Sequence, residues 1–201
     1  HRGHLKRSEQ AMTTYGITGG IGSGKSFVCR MLEERGCNIF YCDDVAKALI
    51  RHDARLRESL KRLVGKKLYA DDWTLQKAVL SAFICESAEK AQMVDALVHP
   101  RVREAFSEWE AAQRAAGRED IYMECALLFE AGFDRLVDKS VLVSTDEAER
   151  VRRIMQRDGI DEEKARGWMA LQMPEEEKRR RADIIILNDY TTPPDISKII
   201  R

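Results

Sequence analysis

The sequence predicts an α/β fold in which a five-stranded parallel sheet lies between two layers of helices. Three observations support this prediction. Short apolar runs alternate with longer amphipathic stretches, which is typical of parallel strands joined by crossover helices rather than of hairpins. A glycine-rich segment follows the first apolar run. The chain has 201 residues, 44% of them hydrophobic, which is the size of one domain that carries insertions or of one domain with a small satellite.

Five apolar runs rich in Ile, Val, Leu and Tyr are the expected strands. They span residues 13–18, 37–42, 121–125, 140–144 and 183–187. The first helix is expected to begin within the GSGK segment and to end at Arg35, because Gly36 stands where a left-handed residue caps a helix. These elements, within residues 12–50, 119–145 and 183–201, form the predicted core.

Two stretches contain more helix than a single crossover needs. Residues 45–116 have an almost continuous helical pattern, which we expect to break at Asp71 and Asp72 and again at His99 and Pro100. We assign residues 51–118 to a helical lobe inserted between the second and third strands. Residues 146–182, helical and strongly charged, lie between the fourth and fifth strands and are expected to form a lid.

Charge and cysteine content exclude several classes of protein. The 34 Lys and Arg balance the 34 Asp and Glu, so no field of one sign steers the molecule toward nucleic acid. No apolar run approaches the ~20 residues that a membrane span needs. Residues 1–11 are polar and basic, and we interpret them as a remnant of an expression vector. The five cysteines form no CxxC pair, which argues against a zinc site or a disulfide framework. We expect a soluble, cytoplasmic protein with reduced thiols.

Residues 19–26, GGIGSGKS, match the pattern GxxxxGK[ST] between a predicted strand and a predicted helix. Glycines let the chain wrap so that N–H groups point at phosphate oxygens, and the helix N-terminus adds its positive dipole end. Lys25 is expected to bridge the β- and γ-phosphates, and Ser26 to hold Mg²⁺. The expected nucleotide contacts are Gly20, Ile21, Gly22, Ser23, Gly24, Lys25, Ser26 and Phe27. The sequence therefore predicts a three-layer P-loop NTPase fold.

The rest of the chain favours a kinase over a GTPase, because neither NKxD nor DxxG occurs in it. A small-molecule kinase needs an acidic group beside the acceptor hydroxyl. Asp43 and Asp44 follow the second strand, at the sheet edge that also carries the glycine-rich segment. Asp43 is the candidate for this role. Capping of the next helix by Asp43 or Asp44 is an open alternative.

Segments along nearly the whole of residues 12–189 resemble the dephospho-coenzyme A kinase family. They are GITGGIGSGKS, CDDVAKAL, LVHPRVR, ALLFEAGFD, RRIMQRDG and LQMPEEEKRRRADIIILND. Many unrelated proteins share the first segment, whereas the order of the LLFE, RDG and QMP segments is specific. The resemblance implies transfer of the γ-phosphoryl group of ATP to the ribose 3′-hydroxyl of dephospho-coenzyme A, the last step of coenzyme A biosynthesis.

The resemblance also implies roles for individual residues. It places Asp43 beside the acceptor hydroxyl and assigns His99 and Arg103 to the acceptor-binding lobe, with a helix break and a solvated charge as the respective alternatives. It places Arg157 on the lid, where its charge stabilises the transferred phosphoryl group during catalysis. It sets Asn188 beside the adenine of ATP.

Other positions depart from the family pattern or add to it. Tyr41 stands where the family often has a second aspartate, and Phe27 stands where threonine is usual. Arg150 lies on the lid-helix face that carries the RDG arginine, and a solvated position is its alternative. Lys178 and Asp183 match family positions and are expected to tie the lid to the core.

The expected substrates are ATP and dephospho-coenzyme A, with Mg²⁺ as cofactor. We expect a monomer or a weak homo-oligomer without a nucleic-acid or membrane partner. One alternative is another P-loop nucleotide or small-molecule kinase, which an acceptor screen distinguishes. A second is a nucleotide-switched binding protein, which would yield no phosphorylated small molecule.

Overall fold

The computed structural model describes residues 12–201, so the expected vector remnant lies outside the described residues. Five strands form one sheet. They are β1 (Thr13–Thr18), β2 (Ile39–Tyr41), β3 (Asp120–Glu124), β4 (Lys139–Ser144) and β5 (Ile184–Leu187). Their spatial order is β2-β3-β1-β4-β5, and all neighbouring pairs are parallel. The predicted strands are confirmed with small shifts at their ends, and the carboxyl ends of all five lie at one edge.

The strands are connected mainly by α-helices. The first, α1 (Lys25–Glu34), follows β1. Four helices separate β2 from β3, namely α2 (Cys42–His52), α3 (Ala54–Val64), α4 (Lys77–Glu86) and α5 (Ala88–Ala115). Three separate β4 from β5, namely α6 (Glu147–Asp158), α7 (Glu162–Ala170) and α8 (Glu175–Arg181). Short 3₁₀ turns occur at Lys66–Leu68 and Phe133–Leu136.

Apolar side chains cover both faces of the sheet, because successive residues of a strand point to opposite sides. On one face Phe40 and Met123 pack against the helices between β2 and β3, including Phe106 of α5. On the other face Ile17 packs with Val28 of α1 and with the C-terminal segment. The structure thus confirms the predicted three-layer α/β fold.

Helix α5 continues through His99 and Pro100, so the predicted break there is wrong. An interior proline removes one main-chain hydrogen bond and costs about 3 kcal/mol. Burial of one continuous face of α5 offsets this cost. That face consists of Val94, Val98, Val102 and Phe106. The predicted interruption at Asp71 and Asp72 is confirmed as a turn before α4.

The N-terminus of α2 is not capped by Asp43 or Asp44, as the alternative interpretation of the sequence required. Tyr41 is the N-cap residue and Cys42 opens the helix, so Asp43 and Asp44 lie inside the first turn. No side-chain hydrogen bond caps this helix. The capping alternative is therefore wrong, although both carboxylates still lie near the positive end of the helix dipole.

All five cysteines are free thiols, as the sequence predicts. Burial raises the pKa of Cys29 to about 12. The neighbouring Cys125 thiol and burial both raise the pKa of Cys42. Within residues 12–201, none of the helices combines the length and apolarity that crossing a lipid bilayer requires.

Candidate active site

The loop between β1 and α1, residues 19–24, is called the glycine-rich loop below. It borders a cleft of about 1050 Å³ at the carboxyl edge of the sheet. In parallel α/β sheets this edge is where ligands bind. Residues of α1, α6 and the segment after β5 complete the walls. The lining includes every predicted nucleotide contact, namely Gly20, Ile21, Gly22, Ser23, Gly24, Lys25, Ser26, Phe27 and Asn188.

Four main-chain N–H groups at the start of α1 are free to bind a ligand. The N–H groups of Gly22, Gly24, Lys25 and Ser26 donate to no acceptor within residues 12–201. Gly22 and Gly24 have φ angles of 78° and 85°, which glycine adopts without strain. Unpaired N–H groups at a helix N-terminus, together with the helix dipole, form an anion-binding site.

Three other amides expected to face phosphate are engaged within the protein. The N–H of Ile21 donates to Oε1 of Gln172 at 3.1 Å. The N–H groups of Ser23 and Phe27 each donate, at 3.0 Å, to carbonyl groups of the glycine-rich loop. In this conformation the anion site therefore rests on fewer amides than the sequence predicts, and Gln172, which follows α7, contacts the loop directly.

Side chains from distant parts of the chain fix the carbonyl groups of the loop. Nε of Arg150 donates to the oxygen of Ile21 at 2.9 Å, and the hydroxyl of Tyr190 donates to the oxygen of Gly22 at 2.8 Å. Arg150 is 6% exposed, so its solvated alternative is wrong. Burial lowers the pKa of Arg150, and the carboxylate of Glu175, at 3.7 Å, opposes that effect. These bonds orient the peptide planes of the loop.

Asn188 supports the loop from the end of β5. Its Nδ2 donates to the oxygen of Ser23 at 3.0 Å, and the hydroxyl of Thr145 donates to the same oxygen at 2.8 Å. Oδ1 of Asn188 accepts from the N–H of Tyr190 at 3.2 Å. The side-chain amide is thus engaged at both ends, which makes Asn188 a support of the loop. Its expected contact with adenine stays a prediction.

Lys25 forms an ion pair with Glu124, a residue to which the sequence assigned no role. Both side chains are mostly buried, with exposed fractions of 15% and 12%. Glu124 ends β3, which lies between β1 and β2 in the sheet. In the sheet order β3 lies between β1, which leads into the glycine-rich loop, and β2, which leads to Asp43. The position of Glu124 near the carboxyl end of a predicted strand was the available sequence signal.

Within the described part of the chain, the predicted acceptor residues do not line the cleft. Asp43 is exposed in the first turn of α2. The ring of His99 packs against Phe133, with 5.4 Å between centroids. Arg103 is exposed and borders a separate shallow groove of about 510 Å³ on α5. Because α2 and α5 pack together, these residues share the helical region beside the sheet edge.

Helix α6 places two arginines at the cleft. Arg153 and Arg157 of α6 both contribute to its lining. Arg157 forms a hydrogen bond from Nη2 to Oδ2 of Asp158 at 2.8 Å, and this contact raises the pKa of Arg157. The guanidinium stays charged, as phosphate binding requires.

The predicted lid-to-core residues lie at the junction of α8 with the sheet. Lys178 is 1% exposed, and burial lowers the pKa of its amine, an effect that the nearby carboxylates of Glu130 and Glu175 oppose. Oδ2 of Asp183 accepts from the N–H of Ser140 in β4 at 2.8 Å. Asp183 thus fixes the start of β5 against β4.

The parallel sheet, the glycine-rich loop and the free amides at the start of α1 define a P-loop fold of the nucleotide-binding type. A family model described as dephospho-CoA kinase matches residues 13–193. The chain is 40% identical over 183 residues to the dephospho-CoA kinase of Salinibacter ruber, covering 90% of each chain. It is 37% identical over 180 residues to that of Chlorobaculum tepidum, covering 88% of this chain and 86% of that protein.

Among solved structures, TT1252 from Thermus thermophilus has a TM-score of 0.75 with 32% identity and covers 89% of both chains. The chain therefore belongs to the dephospho-CoA kinase family, a family of transferases, in agreement with the resemblance found in the sequence.

Proposed function

We propose that this protein transfers the γ-phosphoryl group of ATP to the ribose 3′-hydroxyl of dephospho-coenzyme A, giving coenzyme A and ADP. The observation that carries this proposal is the set of free N–H groups at Gly22, Gly24, Lys25 and Ser26 in a chain of this family. Free amides at one helix N-terminus suit the phosphate tail of a nucleotide. The family resemblance supplies the acceptor.

The ammonium group of Lys25 contributes a mobile positive charge to the phosphate site. It now contacts Glu124, and we propose that it turns to the β- and γ-phosphates when ATP binds. The exchange keeps the amine of Lys25 paired in both states, so this positive charge is not buried without a partner. Glu124 then faces the phosphate end of the cleft with its carboxylate free.

The residues at the cleft fit Mg²⁺. The hydroxyl of Ser26 is exposed in the cleft and the carboxylate of Glu124 lies beside Lys25, so hard oxygen donors are present. No cluster of three or more His, Cys, Asp or Glu suited to a metal occurs within residues 12–201, and Mg²⁺ typically takes its remaining ligands from substrate phosphates and water. When bound, Mg²⁺ neutralises negative charge on the transferred phosphoryl group.

Asp43 is proposed to orient the acceptor hydroxyl and to accept its proton. Its exposed carboxylate follows β2, and only β3 separates that strand from β1 and the glycine-rich loop. We propose that residues 51–118, with His99 and Arg103, bind the acceptor on this side of the cleft. An acceptor held there has its hydroxyl directed toward the terminal phosphate.

The segment of residues 146–182 is proposed to act as a lid. Arg157 brings positive charge to the cleft, and Gln172 already contacts the loop through Ile21. Closure over both substrates excludes water, which limits hydrolysis of ATP when no acceptor is bound. We propose that the enzyme acts in the cytoplasm, as a monomer or weak homo-oligomer without a nucleic-acid or membrane partner.

The test is incubation of purified protein with Mg²⁺, ATP and dephospho-coenzyme A, followed by mass detection of the product and location of the new phosphate. We expect one phosphate on the ribose 3′-oxygen and one ADP for each product molecule. Shikimate, gluconate and nucleoside monophosphates serve as competing acceptors. Phosphorylation of one of these in preference, or ADP release without phosphorylated product, contradicts the proposal.

A further inference from the structure

Tyr190 has a backbone conformation that non-glycine residues rarely adopt. Its φ angle is 61°, and within residues 12–201 only Trp73 shares this property among non-glycine residues. The left-handed conformation is unfavourable for a residue with a side chain, because it brings Cβ close to the following carbonyl oxygen. Such strain persists only where surrounding contacts enforce it, and it concentrates at functional sites. The contacts of Tyr190 therefore indicate what the strain maintains.

These contacts join the glycine-rich loop to the lid. The N–H of Tyr190 donates to Oδ1 of Asn188 at 3.2 Å, and its hydroxyl donates to the oxygen of Gly22 at 2.8 Å. The guanidinium of Arg153 lies over the ring, with 3.7 Å between Cζ and the ring centroid. One side chain thus contacts both a carbonyl next to the free amides and an arginine of the cleft wall.

Each of these two contacts orients a group at the phosphate end of the cleft. The phenol hydroxyl donates to the Gly22 oxygen, which fixes the orientation of the peptide group that carries this oxygen. The lone pairs of the oxygen are therefore directed at the hydroxyl and not at a phosphate. Arg153 donates through Nε to Glu149 at 2.9 Å, while its Nη groups donate to no acceptor within the described chain. A guanidinium that lies over an aromatic ring can still donate from its free Nη groups to an anion. Burial raises the pKa of Tyr190, so its hydroxyl keeps the proton that it donates.

We propose that Tyr190 is a positioning residue for ATP, which holds the Gly22 peptide and the Arg153 guanidinium in the arrangement that binds the phosphate tail. The inference rests on the proposed function of the cleft as the ATP site. The hydroxyl of Tyr190 holds a carbonyl of the glycine-rich loop while its ring contacts Arg153, and glycine in the same backbone conformation could make neither contact.

The test compares Tyr190→Phe and Tyr190→Leu by steady-state kinetics and by calorimetric binding of Mg·ATP. Tyr190→Phe removes the hydroxyl bond and keeps the stacked ring, so we expect the KM and Kd for ATP to rise about fivefold. Tyr190→Leu also removes the cation–π contact, and we expect a rise of roughly 10- to 50-fold. The KM for dephospho-coenzyme A stays within twofold in both variants.

Trp73→Leu is the matched control for the ATP constants alone, since Trp73 shares the positive φ and lies in the proposed acceptor lobe, outside the cleft lining. Its KM for ATP is expected to stay within twofold of wild type. ATP constants unchanged in both Tyr190 variants overturn the inference. So does an equal rise of both KM values accompanied by a lower melting temperature, which is the sign of a structural role alone.

The same experiment separates failure of the inference from failure of the proposed function. Wild-type protein that binds ATP and phosphorylates dephospho-coenzyme A, with Tyr190 variants that match it, overturns only the inference. Wild-type protein that binds ATP without this product overturns the proposed acceptor, and the Kd values still decide the role of Tyr190. Wild-type protein that does not bind ATP overturns both.

Discussion

Substituting Gly24 by alanine tests how the glycine-rich loop depends on its surroundings. Gly24 has a φ angle of 85°, and an added Cβ would overlap Nδ2 of Asn188 and lie 3.1 Å from the hydroxyl oxygen of Tyr190. Asn188 is 4% exposed and its Nδ2 donates to the oxygen of Ser23, so it cannot move away without losing that bond. The substitution therefore combines backbone strain with displacement of a loop support.

The magnitude follows from these two contributions. The left-handed backbone costs alanine about 1–2 kcal/mol. Loss of the hydrogen bond between Asn188 and Ser23 adds about 1 kcal/mol. Gly36 provides the control, because its φ angle is 81° and no atom lies within 4 Å of an added Cβ. We expect Gly36→Ala to lower the free energy of unfolding by about 1–2 kcal/mol and Gly24→Ala by about 2–3 kcal/mol.

Urea unfolding and the KM for ATP are the two readouts. Gly36→Ala should leave the KM for ATP within twofold, whereas Gly24→Ala should raise it about tenfold or more, because the free amides beside it move. In the Asn188→Ala background the Gly24→Ala stability loss should shrink toward that of Gly36→Ala. Equal losses at the two glycines, with an unchanged KM for ATP, would show that the loop does not depend on this contact.

Three further substitutions test other parts of the account. Asp43→Asn should lower kcat about 10²-fold or more while the Kd for ATP is kept, and near-normal turnover removes Asp43 from the proposed role. Lys25→Ala should lower kcat/KM for ATP, measured from initial rates, by an amount that corresponds to a loss of several kcal/mol of transition-state stabilisation. An unchanged kcat/KM contradicts the assignment of Lys25 to the phosphate site. Asp53→Ala should destabilise the fold by about 1–2 kcal/mol in urea, because Asp53 caps α3 at the N–H of Leu56 and pairs with Arg101. The Arg101 contact lowers the pKa of Asp53, so this contribution is present above the unfolded value near 3.8 and is lost as pH falls through the folded value. An Asp53→Ala loss that persists unchanged below that range refutes the assignment.

The elements that the sequence predicts well are those with a strong local pattern. The strands are short apolar runs bounded by polar residues, and each lies within about two residues of its predicted position. The glycine-rich loop is equally local, because residue type and spacing alone determine it. Gly36 indeed has the positive φ expected of a residue that ends a helix.

The errors arise where tertiary contacts override local preference. Pro100 predicts a helix break, but the buried face of α5 is continuous across it. Arg150 has the pattern of a solvated helix charge, and only the fold brings it to Ile21, 129 residues away in sequence. Tyr190 likewise reaches Gly22 across 168 residues. No spacing pattern encodes such contacts, so the groups that orient the loop could not be found from the sequence.

The most direct test of the central claim is the set of amide resonances of ¹⁵N-labelled protein during titration with Mg²⁺ and a non-hydrolysable ATP analogue. Hydrogen bonding to phosphate should give the largest amide shift changes at Gly22, Gly24, Lys25 and Ser26. Amide shift changes at the shallow groove on α5 that Arg103 borders should remain small until dephospho-coenzyme A is added. Binding of the analogue with these four amides unchanged would contradict the account.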